Sequence, residues 1–460
     1  MDARLRFFGG VETVTGSKAL VETSSGRTLV DCGLFQGVKA LRRRNWAPSP
    51  VDPKSLDAVI LTHAHLDHSG LVPVLVRSGF EGPIYCSSGT ASLLGLLWPD
   101  AAYLQTEDAK HRNRTGTTRH RPARPLFEPA DAVRALRRLH VVPFGEPFEP
   151  VEGLSASLTR AGHILGASSV RLEHQGRSVV FSGDLGRRED PVMRPPAARP
   201  DSDLVVVEST YGDRLHGGPA PEDELADIVC RTIGRGGTLL IPAFAVGRAQ
   251  GVLHLLARLR AAGRIPDVPT YLNSPMAIRA TGLYCAHMDD HRLTEDQCAA
   301  MCSAEMTRSP SESKALNRDP RPKIILSASG MATGGRILHH LEAFASDPRT
   351  TLLFVGYQAA GTRGRALVRG ADRVKVHGRY VQVAAEVAQM SSLSAHADKA
   401  ELLAWLASAP NPPSEILINH GEPSASDAFR ASVEEELGWP ARCLTHGEVV
   451  ELTPARGTAA

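Results

Sequence analysis

The first half of the chain alternates short apolar runs with turns rich in glycine, serine and aspartate. Runs of β-branched and apolar residues, typical of β-strands, occupy residues 4–8, 19–23, 28–30, 58–61, 155–159, 168–173, 179–181 and 204–207. Helical periodicity appears at residues 69–79, 91–97 and 130–139. This pattern predicts two packed β-sheets with few helices.

From about residue 222 the pattern changes to strand, glycine-bearing loop and helix, repeated in TLLIPAFAVGRAQ, PTYLNSPMAIRA and KIILSASGMATGG. This alternation is typical of a parallel α/β domain. Strand-like runs return after residue 374, and a helix is predicted over 424–438. The sequence therefore predicts an α/β protein with one domain inserted in another: residues 1–208 and 373–460 form the first domain and 209–372 the insertion. The last residues, TPARGTAA, are expected to be an unstructured tail.

The densest group of metal-binding side chains follows the apolar run at residues 59–61. The segment THAHLDHSG places His63, His65, Asp67 and His68 within six residues. Imidazole and carboxylate ligands without thiolate suit zinc, and iron and manganese also accept them. A cluster this crowded can serve two ions.

Other polar residues also stand where an apolar run ends. These are Asp31, His163, Asp184, Glu208 and His420. Rigid strands can fix catalytic groups at their ends while the loops leave room for a substrate. A single such histidine is more often a hydrogen-bonded core or loop residue, but six strand ends that each carry a candidate favour one shared site.

Composition narrows the classes of partner. With 460 residues, a formal charge of +2 and a pI near 8.2, the chain has no global charge that favours nucleic acid or membranes. The amino terminus lacks the apolar region of a signal peptide, and no apolar run is long enough to span a membrane, so we expect a cytoplasmic protein. Seven cysteines without CxxC spacing indicate reduced thiols rather than disulfides or a thiolate metal site.

HAHLDH matches the HxHxDH signature, and with Asp31, AGHILG and SGDLG in the same order the chain resembles the metallo-β-lactamase superfamily. This resemblance implies an αββα sandwich with a dinuclear zinc site. It implies that His63, His65 and His163 hold one zinc ion, that Asp67 and His68 hold the other, that Asp184 bridges them, and that Asp31 orients a ligand. Two such ions lower the pKa of a shared water, so that hydroxide forms at neutral pH. A site of this kind can hydrolyse esters, amides or phosphodiesters and does not by itself select among them.

The second half of the chain narrows the substrate. ESTYG, SAHAD and NHGE, together with the α/β insertion, resemble the β-CASP branch, which includes the cleavage and polyadenylation factor nuclease and RNase J. The resemblance implies that Glu208, His396 and His420 are motifs A, B and C, and a histidine in motif C points to RNA. His420 would complete the second zinc site, and His396, oriented by Glu208, would protonate the leaving ribose oxygen. From spacing alone, His396 could equally be a loop residue before the helix DKAELLAWL.

The sequence thus predicts a zinc-dependent ribonuclease acting on single-stranded RNA, with endonuclease favoured, 5′-exonuclease open, and a 5′-phosphate and a 3′-hydroxyl as products. A homodimer is expected by resemblance only. The alternatives are a small-molecule hydrolase of the glyoxalase or lactamase type, a DNA nuclease of the same family, and a non-catalytic scaffold subunit. A scaffold subunit would be expected to have lost ligands, and here none is missing.

Contacts to the RNA backbone are predicted in two loops of the insertion. The small residues of SASGMATGGR would expose backbone N–H groups to a phosphate. The predicted contacts are Ser329, Gly330, Thr333, Gly334 and Arg336, with Arg248 of FAVGRAQ. The basic run over residues 110–125 has the charge to contact RNA phosphates but is predicted to be a solvated loop. The same interpretation is given to Arg363 and Arg365. Because aromatic residues are scarce near these charges, base stacking is not expected.

Overall fold

The computed structural model describes residues 3–118, 120–217, 219–359, 361–390 and 392–452. The chain forms two compact units. Unit 1 comprises Met1–Arg188, Pro195–Leu215 and His396–Ala460, and unit 2 comprises Glu189–Arg194 and His216–Ala395. The predicted tail at residues 453–460 lies outside the described residues.

The described strands, in chain order, are β1 Ala3–Gly9, β2 Lys18–Glu22, β3 Arg27–Val30, β4 Ala58–Ile60, β5 Ile84–Cys86, β6 Leu139–Val141, β7 Pro147–Val151, β8 Leu154–Arg160, β9 Ser168–His174, β10 Arg177–Phe181, β11 Leu204–Val207, β12 Thr238–Pro242, β13 Thr270–Leu272, β14 Glu305–Met306, β15 Lys323–Ser327, β16 Thr351–Val355, β17 Arg373–Val376, β18 Arg379–Gln382, β19 Glu386–Met390, β20 Glu415–Ile418, β21 Ala441–Cys443 and β22 Val449–Leu452.

The described α-helices are α1 Lys39–Arg44, α2 Leu66–Ser69, α3 Val72–Arg77, α4 Ser88–Thr115, α5 Pro129–Leu136, α6 Pro221–Gly234, α7 Arg248–Ala261, α8 Pro275–Ala286, α9 Glu295–Met301, α10 Pro310–Arg318, α11 Ile337–Phe344, α12 Arg363–Val368, α13 Lys399–Leu406 and α14 Pro423–Ser432. A π-helical turn, Val433–Leu437, follows α14. None of these helices is long and apolar enough to cross a membrane.

Unit 1 contains two seven-stranded sheets, ordered β22-β1-β2-β3-β4-β5-β6 and β21-β20-β11-β10-β9-β8-β7. Alternate residues of both sheets face one buried apolar cluster, which includes Leu5, Phe7, Leu158 and Val206. Helix α4 packs on β6 of the first sheet, and α14 packs on β20 and β21 of the second. The predicted αββα sandwich is therefore confirmed.

Unit 2 is built on a six-stranded sheet in the order β14-β13-β15-β12-β16-β19, in which all neighbouring strands are parallel. The predicted parallel α/β insertion is thus confirmed. Strand β19 pairs in parallel with β16, which places the chain as far as residue 395 in unit 2. The predicted boundaries after residues 208 and 372 therefore differ from those of the compact units. Periodicity identifies a strand but not the sheet that it joins.

One predicted helix is much longer than expected. Instead of residues 91–97, α4 runs from Ser88 to Thr115 and contains Pro99. Its last turns include residues 110–115, so the prediction of a loop is wrong for the start of the basic run. A proline within the helix and an exposed second half conceal the helix from an apolar pattern.

Candidate metal centre

The candidate residues in unit 1 follow strand ends. Strands β3 and β4 run parallel in one sheet, and β10, β11 and β20 run parallel in the other. Asp31 follows β3, Asp184 follows β10, Glu208 follows β11 and His420 follows β20. Parallel strands present their carboxyl ends at the same edge, which is why residues far apart in sequence meet there.

Helix α2 carries the end of the HxHxDH segment and is held by the loop after β3. The N–H of Cys32 donates to the carbonyl of His68 at 2.7 Å, and that of Leu34 donates to Leu66 at 2.8 Å. A Cβ on Gly33 would lie 1.6 Å from the carbonyl oxygen of Asp67, so only glycine fits this close approach. This loop therefore fixes the position of α2.

The first group of donors comprises His63, His65, His163 and Asp184, whose ligand atoms all lie within 4.8 Å of one another. Nδ1 of His65 is 3.2 Å from Nε2 of His63 and from Nε2 of His163. Oδ2 of Asp184 is 3.5 Å from Nε2 of His63. Burial lowers the pKa of His63 well below its ordinary value and that of His65 to about 4, so both rings are neutral, as metal ligands must be.

The second group comprises Asp67, His68 and His420. Nε2 of His68 lies 3.1 Å from Nε2 of His420 and 3.2 Å from Oδ1 of Asp184. Asp184 thus presents Oδ2 to the first group and Oδ1 to the second. Burial alone would raise the pKa of Asp184, but the imidazoles of His420, His68 and His63 together hold it well below its ordinary value. Asp184 is therefore a carboxylate.

The donor set fits cations. Oδ1 of Asp184 is buried and accepts no aligned hydrogen bond from the described residues, although imidazole nitrogens lie near it. A buried carboxylate oxygen without a donor is costly unless a cation satisfies it. Together with the neutral imidazoles of His63 and His65, this orphaned oxygen is what a metal ion would use.

The carboxylate of Asp31, to which the resemblance assigns the orientation of a ligand, lies against His68. Its Oδ2 lies 2.7 Å from Nδ1 of His68 and accepts a hydrogen bond from the hydroxyl of Thr62 at 2.9 Å, while its Oδ1 accepts the N–H of Thr62 at 2.8 Å. Burial would lower the pKa of His68, but the carboxylates of Asp184 and Asp31 raise it well above its ordinary value. The bond to Asp31 leaves Nε2 directed toward the donors of the second group.

His396 and Glu208 form a pair beside Asp184. Nδ1 of His396 lies 3.1 Å from Oε2 of Glu208, while Oε1 accepts the N–H of Leu185 at 2.6 Å. The N–H of Ala397 donates to the carbonyl of Leu185 at 2.8 Å, which fixes the backbone next to His396. The His396 ring also lies 4.4 Å from that of His163, measured between centroids. Asp398, not His396, caps α13. The ring of His396 instead lies beside the donor groups, with Nδ1 4.0 Å from Oδ2 of Asp184.

The predicted RNA contacts of unit 2 are placed differently from expectation. Helix α11 begins only at Ile337, after the glycine loop. The hydroxyl of Ser329 accepts the N–H groups of Thr333 and Gly334 at 3.0 and 3.4 Å, so these groups are not exposed to a phosphate. A Cβ on Gly330 would lie 2.7 Å from the Phe244 ring. The contact of these loop residues with RNA stays a prediction.

Of the two arginines assigned to RNA, Arg336 has hydrogen-bond partners within unit 2. Arg336 donates to the side chain of Asn273 and to the carbonyls of Thr307 and Arg308 at 2.7 to 3.0 Å. Arg248 is the first residue of α7, and its guanidinium lies 3.3 Å from the position of a Cβ on Gly356. Their contact with RNA stays a prediction.

Sequence reasoning missed a basic surface in unit 1. Helix α1 has no buried residues, and Trp46 beyond its end is 61% exposed. The side chain of Asn45 bonds both the N–H and the carbonyl of Phe35 at 2.8 Å, which ties α1 to the loop that holds α2. The segment KALRRRNW carried the signal: three consecutive arginines and a tryptophan.

Comparison with known proteins agrees with this geometry. The model of the metallo-beta-lactamase superfamily matches residues 15–227, the Beta-Casp domain matches 249–367, and the Zn-dependent metallo-hydrolase RNA specificity domain matches 380–444. The sandwich and its clustered histidines and aspartates thus define a metal-dependent hydrolase of the metallo-β-lactamase superfamily.

Three relatives narrow this class. The chain is 39% identical to Ribonuclease TTHA0252 of Thermus thermophilus, covering 90% of this chain and 92% of that protein. It is 32% identical to the transcription termination factor FttA of Methanosarcina mazei, covering 98% and 71%, and 30% identical to an RNase J-like protein of Methanocaldococcus jannaschii, covering 97% and 99%. The chain belongs to the β-CASP family.

A solved structure agrees at the level of the fold. A protein of unknown function from Enterococcus faecalis superposes with a TM-score of 0.53 at 13% identity, covering 98% of this chain and all of that one.

Proposed function

We propose that this protein is a zinc-dependent ribonuclease that hydrolyses RNA phosphodiester bonds as an endonuclease. The observation that carries the proposal is the pairing of His396 with Glu208 at 3.1 Å beside the donors that surround Asp184. A hydrolase of small esters needs the donors alone, whereas release of a ribose oxygen benefits from a separate proton donor. The similarity to Ribonuclease TTHA0252 over most of both chains supports RNA as the substrate.

Two zinc ions per chain would be held by the two donor groups. His63, His65 and His163 would hold one, Asp67, His68 and His420 the other, and Asp184 both. Bound together, such ions lower the pKa of a water molecule and stabilise the negative charge that develops on the phosphate oxygens. The match to the Zn-dependent RNA specificity domain supports zinc over iron and manganese.

The chain's own residues supply orientation and a proton. Glu208 is fixed by the N–H of Leu185 and holds Nδ1 of His396, which orients Nε2 as the proton donor. That nitrogen donates its proton to the 3′ oxygen as the bond between this oxygen and phosphorus breaks. The oxygen of one water molecule joins phosphorus, and this water releases one proton to solvent, from which His396 is reprotonated. The products are a 5′-phosphate and a 3′-hydroxyl.

Single-stranded RNA is the proposed form of the substrate, and α1 supports it. Lys39, Arg42, Arg43 and Arg44 make no ion pair with any other described residue, and Arg44 stacks on Phe35 at 5.3 Å. In contrast, Lys110 and Arg112 of α4 pair with acidic residues of the same helix at 2.9 and 2.7 Å. Unpaired guanidinium groups beside an exposed tryptophan suit phosphates and an unstacked base.

Hydrolysis of three matched substrates tests the proposal. We expect the zinc-loaded protein to cut a labelled single-stranded RNA and to leave both a DNA of the same sequence and a lactoylglutathione thioester largely intact. Faster hydrolysis of the thioester than of RNA would favour a small-molecule hydrolase. Cleavage of DNA with indifference to RNA would contradict the role given to His420.

A circular RNA separates the two modes of cleavage. An endonuclease linearises the circle, whereas a 5′-exonuclease cannot start on a molecule without an end. We expect linear products from the circle, and degradation of linear RNA alone would assign the exonuclease mode. The homodimer, supported by resemblance only, is tested by light scattering on the purified protein.

A further inference from the structure

A second group of metal-binding side chains lies in unit 2. His339 and Glu342 stand three residues apart on α11, and His377 lies in the turn between β17 and β18. Oε2 of Glu342 lies 3.0 Å from Nδ1 of His377 and 3.9 Å from Nδ1 of His339. One ligand atom from each residue lies within 4.8 Å of the other two. We propose that His339, Glu342 and His377 bind a zinc ion that ties the β17–β18 hairpin to α11.

Packing brings these residues together without help from a metal. Val374 and Val376 of β17 share a buried apolar cluster with Ile337 and Leu341 of α11. The hairpin is therefore seated on the helix by its apolar face, and its turn lies beside the exposed face of α11. A site whose donors are held close by the core loses little conformational entropy on binding.

The turn chemistry does not by itself explain a histidine at position 377. Val376 pairs with Arg379, so the turn has two central residues, with φ of +44° at His377 and +86° at Gly378. Two-residue turns of this kind favour Asn-Gly or Asp-Gly, because asparagine and aspartate tolerate the left-handed conformation best. A histidine at this position makes the turn less stable than asparagine would, but it places an imidazole beside Glu342.

The donors suit a divalent transition metal. Two imidazole nitrogens and one carboxylate oxygen are ligands that zinc accepts, with water free to complete four-coordination. The side chains are 60%, 35% and 40% exposed for His339, Glu342 and His377, which leaves the ion open to solvent.

The test counts zinc in the full-length protein. Wild type and the variants His377→Asn and His339→Ala are equilibrated with buffered micromolar free zinc, and bound zinc is measured by atomic emission. Asparagine keeps the favoured turn, so His377→Asn removes a ligand without disturbing the fold. We expect each variant to bind one zinc ion fewer than wild type and to gain less thermal stability from added zinc. Equal zinc content in all three proteins would overturn the proposal.

A matched control and an independent assay complete the test. His140 is an exposed histidine on β6 outside all three groups of metal-binding side chains, and His140→Ala should bind as much zinc as wild type. If His140→Ala loses zinc equally, the binding is not specific to the cluster and the proposal is wrong. RNA cleavage should be the same in every variant. The result is a difference between proteins, so it stands whether or not the centre around Asp184 supports ribonuclease activity.

Discussion

Asp184 joins the two donor groups of unit 1. One of its oxygens lies 3.5 Å from Nε2 of His63 and the other 3.2 Å from Nε2 of His68. Two rings near Asp184 are themselves held by a carboxylate, His68 by Asp31 and His396 by Glu208. Asp31 is thus a supporting residue for His68, a member of the second donor group. Loss of such a supporting residue should weaken metal binding without removing a ligand.

Asp31→Asn tests that support. Asparagine tolerates the left-handed backbone of Asp31, with φ of +60°, so the substitution removes charge without adding strain. We expect zinc affinity to fall about 10- to 100-fold, because His68 loses the carboxylate that orients its ring. Competition with a chromophoric chelator measures this affinity. Asp108→Asn, an exposed position on α4, should match wild type, and an unchanged affinity for Asp31→Asn would show that the bond to His68 is dispensable.

Among the secondary-structure elements, strand ends carry metal-binding side chains, and α1 carries basic side chains near the metal centre. Helix α1 presents unpaired basic residues beside the loop that holds α2, whereas the basic end of α4 is largely neutralised within its own helix. Within unit 2, α11 is joined to α10 and β13 through buried His340, which lies 2.7 Å from Asn273 and 2.5 Å from Asn317. Each arrangement has a measurable consequence.

Replacing Arg42, Arg43 and Arg44 together by alanine should weaken RNA binding and flatten its salt dependence. Each phosphate contact to a single strand contributes about 0.7 to the slope of log affinity against log salt, so the slope should fall by about 2. Trp46→Ala should weaken binding by about 1 to 3 kcal/mol through lost stacking. Fluorescence anisotropy of a labelled RNA measures both the affinity and its salt dependence, with each substitution made in the His396→Ala protein so that the RNA is not cut.

The matched control for α1 is a variant of α4. Lys110→Ala combined with Arg112→Ala removes charges that already have acidic partners. We expect this pair to change RNA affinity little. If the α4 pair of substitutions lowers RNA affinity more than the α1 triplet does, the RNA binds at the basic end of α4 rather than at α1.

His340 predicts how stability changes with pH. Burial, and then the charges nearby, lower its pKa to about 4 in the folded chain, below its ordinary value of 6.5. The unfolded chain therefore binds the proton more readily, so stability is full above about pH 6.5 and falls as the pH drops toward 4. Between about pH 7 and about pH 5 the loss should be about 2 kcal/mol.

Urea unfolding of wild type and His340→Gln measures this contribution. Glutamine stays neutral, so the variant should lose less stability over the same interval, while titration of the metal centre is common to both proteins. Equal losses would show that His340 does not couple folding to pH.

At the scale of the whole molecule, much of the site could be predicted because strand ends are visible in the sequence. An apolar run followed by Asp184 or His420 signals its position without knowledge of the sheet. The sheet to which each strand belongs could not be predicted in this way. Strand β19 joins the sheet of unit 2 through backbone hydrogen bonds to β16, and such bonds do not depend on the pattern of apolar residues. The group around Glu342 was also invisible, because His377 comes from a hairpin remote in sequence and carries no motif.

In the proposed mechanism one centre binds metal, and His396 acts beside it as the proton donor. The most direct measurement compares zinc content and RNA cleavage in His396→Ala and Asp184→Ala. We expect His396→Ala to retain the zinc of the centre and to lose cleavage by about 10²- to 10⁴-fold, as removal of a general acid does. Asp184→Ala should lose zinc as well as activity. Cleavage by His396→Ala at the wild-type rate would show that His396 is not the proton donor.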